Sequence, residues 1–122
     1  MSSLVTGLVA LFFLGMGLYG LTAPSALVRP FGVALSGPEA RAEVRAVYGG
    51  FGVGVGCISG WAAFEPGGGL QRGVVLAVGV ALAGMAAGRL VARAVERPRA
   101  FYPAWFYFWV EAVGAAALLA GV

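Results

Sequence analysis

Four long apolar runs decide what this chain can fold into. The clearest is residues 4–21, where Thr6 and Tyr19 carry the only polar side chains. As a helix it reaches about 27 Å, close to the roughly 30 Å hydrocarbon core of a bilayer. Similar runs lie at about residues 43–64, 73–95 and 104–122. Each is long enough to cross a membrane, where a chain must satisfy its backbone polar groups internally. The expectation is an all-α fold: a four-transmembrane-helix bundle forming one integral membrane domain over residues 1–122, with an interfacial segment between helices 1 and 2.

Composition supports this. Hydrophobic residues make up 61% of the chain and charged ones 11%, with a mean hydropathy of +0.92, outside the range of ordinary soluble domains. The chain has no His, Asp, Asn or Lys, which removes most metal sites and every His-based catalytic arrangement. No catalytic residue, metal site or cofactor is assigned. Cys57 is the lone cysteine, so no internal disulfide forms; in an apolar run its thiolate is disfavoured, and a small core residue is expected.

A cleaved signal peptide competes for the first run. Its Met-Ser-Ser leader lacks basic residues and Leu21-Thr22-Ala23 is a poor cleavage site, so the run is read as the first membrane helix, ended by Pro24. Residues 23–42 carry Pro24, Pro30 and Pro38 but also Leu27, Val28, Phe31 and Leu35. Prolines break a long helix, and a solvated loop has no need of the apolar residues; hence a short segment at the membrane interface. Ser36 is the expected cap of the next helix, with Pro38 in its first turn and Glu39 three residues on.

Glycine patterns the helix surfaces. Gly52, Gly56 and Gly60 are spaced by four, as are Gly50 and Gly54, and Gly84 and Gly88. Small residues at this spacing let helices approach closely. The run 49–56 is superficially like a phosphate-binding loop, but no strand precedes it and no Lys-Ser/Thr pair follows. Helix packing is the better reading.

The arginines set an orientation. Loop one and its flanks hold Arg29, Arg41 and Arg45; loop three and its flanks hold Arg89, Arg93, Arg97 and Arg99; loop two holds only Arg72. By the positive-inside rule loops one and three are cytoplasmic and both termini face outward. The surroundings implied are a cell inner membrane, crossed several times. The net charge of +3 is then a matter of topology and lipid headgroups, not of nucleic acid.

Two charges fall at matching depth. Glu111 is seven residues into helix four, about 10 Å from its cytoplasmic start, and Arg89 lies about 22 Å from the outer end of helix three. Ionisable groups in a membrane pair and face the bundle interior. The expected polar cluster is Arg45, Tyr48, Arg89 and Glu111, with Glu43 and Arg93 at its mouth. Two readings stay open: a structural staple, or a ligand site. Arg93, Arg97 and Arg99 can instead snorkel to headgroups. The aromatic run 101–109 likewise reads as an interfacial belt or as a stacking surface for a lipophilic ligand.

Glu43-x-Arg45-Ala-Val-Tyr48-Gly-Gly50, with Gly88-Arg89 late in the third helix and a Glu in the fourth, resembles the bacterial family catalogued as domain of unknown function 4345. The resemblance covers nearly the whole chain and implies a small four-helix membrane protein. It marks the same charged residues and implies no activity. Here the chain differs in carrying Val95-Glu-Arg-Pro98 where an acidic-glycine turn is expected.

Three classes of function are compatible with these residues. The leading one is a non-enzymatic accessory or binding module, associating through glycine-rich faces with itself or a larger membrane complex and contacting anionic lipid at its arginine-rich side. The second is an oligomeric small transporter or channel using the buried Glu/Arg cluster. The third is an intramembrane enzyme with Glu111 as general acid or base. The partners expected are membrane lipids and other membrane helices, with no nucleic acid.

Overall fold

The computed structural model describes residues 2–65, 67–96 and 101–122. Arg97, Pro98 and Arg99 lie outside the described residues. Helix α1 (Ser2–Thr22) is followed by the short α2 (Pro24–Val28) and a 3-10 turn (Arg29–Phe31). Then come α3 (Pro38–Val44), a π-helical stretch (Arg45–Gly50) and α4 (Phe51–Phe64), which run on as one 27-residue helix. Helix α5 (Gly69–Val95) and α6 (Phe106–Ala120), the latter entered through a π-type turn (Phe101–Trp105), complete the chain. No strand occurs among the described residues. Four helices are long and apolar enough to cross a membrane, Ser3–Thr22, Pro38–Phe64, Gly69–Val95 and Phe101–Ala120, as a multi-pass membrane protein requires.

The second long helix begins at Pro38, earlier than hydropathy alone marks it, because the polar turn Pro38–Val44 is helical too. Its N-cap is Gly37, not Ser36, and no side chain caps it. Proline at the first helical position forces the residue before it into an extended conformation, so the cap falls on Gly37. The third helix likewise starts at Gly69, directly after the glycine turn.

The bundle is two tight helix pairs set side by side. Helix α1 packs most extensively on α4, and α5 on α6; α4 meets α5, and α1 meets α6, along thinner seams. Glycine makes the first pair close. A Cβ on Gly56 would stand 2.6 Å from Leu14 Cγ, and one on Gly20 would stand 3.0 Å from the Gly49 nitrogen. Val9, Phe13, Ala62, Val78, Leu82 and Leu118 form the main core, drawn from all four long helices. A second small core, Leu27, Val28 and Val44 with Met16 and Leu35 against it, fastens the connecting segment to the end of the bundle. That is why a loop carries so many apolar residues. Cys57, expected in the core, is exposed on α4; α1 covers the face of Gly52 and Gly56 instead.

Candidate functional site: a buried arginine–glutamate pair

Antiparallel packing of α5 on α6 brings Arg89 and Glu111 together across 22 residues of sequence. Arg89 Nε donates to Glu111 Oε1 at 2.7 Å and Nη2 donates to Oε2 at 3.1 Å. This is the fork-to-fork geometry that matches a guanidinium to a carboxylate. Glu111 is 1% exposed and the Arg89 side chain 27%. Burying a carboxylate alone is very costly, and a bidentate partner offsets much of that cost.

Aromatic side chains close the pair. Tyr107 lies one helical turn before Glu111 on the same face of α6, and its ring centroid is 5.5 Å from Arg89 Cζ. The ring's negative face attracts the guanidinium. The Tyr107 hydroxyl donates to Met16 Sδ of α1 at 3.7 Å. Phe31, from the 3-10 turn, stacks on Tyr107 with ring centroids 5.7 Å apart and planes at 25°. Tyr102 also neighbours Tyr107, with ring centroids 6.0 Å apart and planes tilted by 40°. The site thus draws on α1, the connection after α2, α5 and α6. Beside it, Arg89, Ala92, Ala104 and Trp105 line a small cavity of about 60 Å³.

The other residues expected in the cluster stand elsewhere. Arg45 Nε donates to the carbonyl oxygen of Leu21 at 3.0 Å, so its guanidinium caps the C-terminal end of α1, where carbonyls lack helical partners and a cation is favoured. Tyr48 is 48% exposed, and Glu43 and Arg93 are exposed as well. Arg45 and Tyr48 are carried on the helix that pairs with α1, while Arg89 and Glu111 belong to the other pair. Tyr107, Met16 and Phe31 are the members that sequence reasoning missed. Tyr107 had a signal, its four-residue spacing from Glu111; Met16 and Phe31 had none, since only the tertiary fold brings them there.

The glycines divide by face. Gly52 and Gly56, with Gly49, meet α1 directly, and Gly60 lies 3.9 Å from Ala10 at the Cβ position. Gly54, Gly84 and Gly88 have nothing within 4 Å of that position, and Gly50 meets only the Arg45 carbonyl at 3.8 Å. These four point out of the bundle.

Chemically, the pair is closed. Both Glu111 oxygens are engaged, and besides Tyr107 the other buried polar side chains among the described residues are Thr6 and Ser59. No group of three or more metal-ligating side chains occurs among the described residues.

A family model matches residues 1–122, the full length, under the description domain of unknown function (DUF4345). The chain belongs to that family. Comparison with curated proteins and with solved structures returns no match. Membership therefore carries no assigned chemistry, and the Arg89–Glu111 pair is the most specific feature from which to reason.

Proposed function

We propose that this family member is a non-enzymatic membrane accessory or binding module, held rigid by the Arg89–Glu111 pair. It associates through outward glycine faces and contacts anionic lipid headgroups at its arginine-rich end. The observation that carries this reading is the closure of the pair. The one buried carboxylate among the described residues is 1% exposed and has both oxygens bonded to a guanidinium, so it is engaged within the bundle and turned away from solvent. Other charged side chains among the described residues lie near helix ends or in connections, exposed or half-exposed.

Two further features support the reading. Gly84 and Gly88 lie on an outward face of α5 beside exposed Val80 and Val91, the surface that close helix association in a bilayer uses. Arg29, Arg41, Arg45 and Arg93 gather toward one end of the bundle. In a cell inner membrane the positive-inside rule directs this end to the cytoplasm and both termini outward.

Extraction in mild detergent at native abundance, followed by mass measurement of the intact particle, tests the proposal. The expected result is a particle heavier than one chain, carrying a second copy, a partner or retained anionic lipid. A strictly monomeric, lipid-free particle overturns it.

A further inference from the structure

The contacts of Arg89 engage one edge and one face of its guanidinium. The bonds to Glu111 take Nε and Nη2, and the Tyr107 ring lies against a face. Nη1, with two N–H groups, takes no part in either contact. Beside it, between α5 and the entry to α6, is the cavity of about 60 Å³ lined by Arg89, Ala92, Ala104 and Trp105. One water needs about 10–15 Å³ of such space, so the cavity takes a group of several heavy atoms. Ala92 and Ala104 offer that group only methyls. The two polar side chains in the lining are a guanidinium and an indole, and both donate hydrogen bonds without accepting any. Arg93 follows one turn after Arg89 on α5 and adds a second cation at this end. Glu96 is the exposed C-cap of the same helix and is not part of the lining.

We infer that this cavity binds one phosphate group, through Arg89 Nη1 and the Trp105 indole N–H. A lining that only donates calls for an acceptor. Hydrogen bonds between ionised partners are roughly twice as strong as neutral ones, which favours an oxyanion over water. Depth selects phosphate among the oxyanions. Helix α5 has 27 residues and is about 40 Å long, about 10 Å more than the hydrocarbon core. Arg89 stands six residues before its end at Val95, about 9 Å along the axis. With the excess length shared between the two ends, Arg89 lies about 4 Å inside the hydrocarbon boundary, and its long stem carries the guanidinium up to the headgroup layer. Tryptophan is at home at that same level. Every phospholipid presents its phosphate there, and a free phosphate ion offers the same oxygens. The inference rests on the headgroup contact proposed above and gives that contact a place in the fold.

The test uses the full chain in a maltoside detergent and phosphate-free buffer, with Trp61→Phe and Trp109→Phe leaving Trp105 as the one indole. Both replaced residues are exposed. Trp105 emission is followed as dihexanoylphosphatidic acid, dihexanoylglycerol or inorganic phosphate is added. The phosphatidic acid is expected to change the emission saturably; dihexanoylglycerol, with the same chains and no phosphate, is expected not to. Saturation by inorganic phosphate as well supports a site that takes phosphate from either source, and saturation by the lipid alone supports a headgroup site. Arg89→Met/Glu111→Leu, which removes both charges at similar volume, is expected to weaken binding at least about tenfold. Ala92→Phe, which fills the cavity from an exposed position and leaves the ion pair in place, is expected to do the same. Arg45→Gln, at the Leu21 carbonyl, is expected to leave binding unchanged. No saturable change, an equal response to dihexanoylglycerol, or saturation that survives Ala92→Phe overturns the inference. Anionic lipid retained on the intact particle with no response at Trp105 overturns this site alone and leaves the headgroup reading standing.

Discussion

Gly17 and Gly52 bring α1 and α4 into backbone contact: a Cβ on Gly52 would stand 2.9 Å from the Gly17 Cα, and one on Gly17 would stand 2.5 Å from the Val53 nitrogen. Neither position has room for a side chain unless a helix moves. Gly52→Val is therefore expected to destabilise the bundle by about 3 kcal/mol, as overpacking at an unyielding backbone does. Gly54→Ala faces open space and should be neutral, or stabilising by about 0.5–1 kcal/mol through helix propensity. Unfolding titrations in mixed detergent micelles measure both. If Gly52→Val unfolds at the wild-type midpoint, α1 and α4 do not meet there.

Truncating the two partners of the buried pair should not cost the same. Arg89→Ala strands a carboxylate that is 1% exposed, and removing one partner of a buried pair costs about 3–5 kcal/mol. Glu111→Ala strands an arginine that is already 27% exposed and has a long stem with which to reach a more polar depth. Its loss should be smaller. The double variant Arg89→Met/Glu111→Leu should recover most of the stability, because apolar pairs of similar volume replace buried ion pairs at little or no cost. The same micelle titrations give the order of the three, and equal losses for the two single variants would count against this account of the pair.

At Tyr107 the ring matters more than the hydroxyl. Tyr107→Phe keeps the face over Arg89 and the stack with Phe31 and loses the hydroxyl's weak donor contact to Met16 Sδ and its hydrogen bond with Tyr102. A loss under about 1 kcal/mol is expected. Tyr107→Leu removes the cation–π contact as well and should cost about 1–2 kcal/mol. Thermal melts of the two variants, taken side by side, check the order.

Arg45→Leu should loosen the end of α1 and little else. It removes the donor to the Leu21 carbonyl and a cation from a helix C-terminus, together worth about 0.5–1 kcal/mol at an exposed site. Hydrogen exchange should quicken at the last turn of α1, residues 19–23, while α5 and α6 stay protected. Exchange that rises evenly through the bundle would mean that Arg45 holds more than this cap.

The chain by itself determined that four helices form and where most of them run. In hydrocarbon a backbone group without a partner is too costly to leave, so an apolar run of membrane-spanning length has a single local solution. It also marked Arg89 and Glu111, since depth follows from counting residues along a helix of fixed rise. Helix neighbours are another matter. Gly50 and Gly54 carry the same spacing as Gly52 and Gly56, and only packing decided that α1 covers the second pair. The same choice sent Arg45 to the Leu21 carbonyl and left Tyr48 and Glu43 exposed outside the Arg89–Glu111 contact. It also brought Met16 and Phe31 to Tyr107. Periodicity states which residues share a face of one helix; which helix that face meets depends on the summed fit of all four, a quantity no local pattern contains.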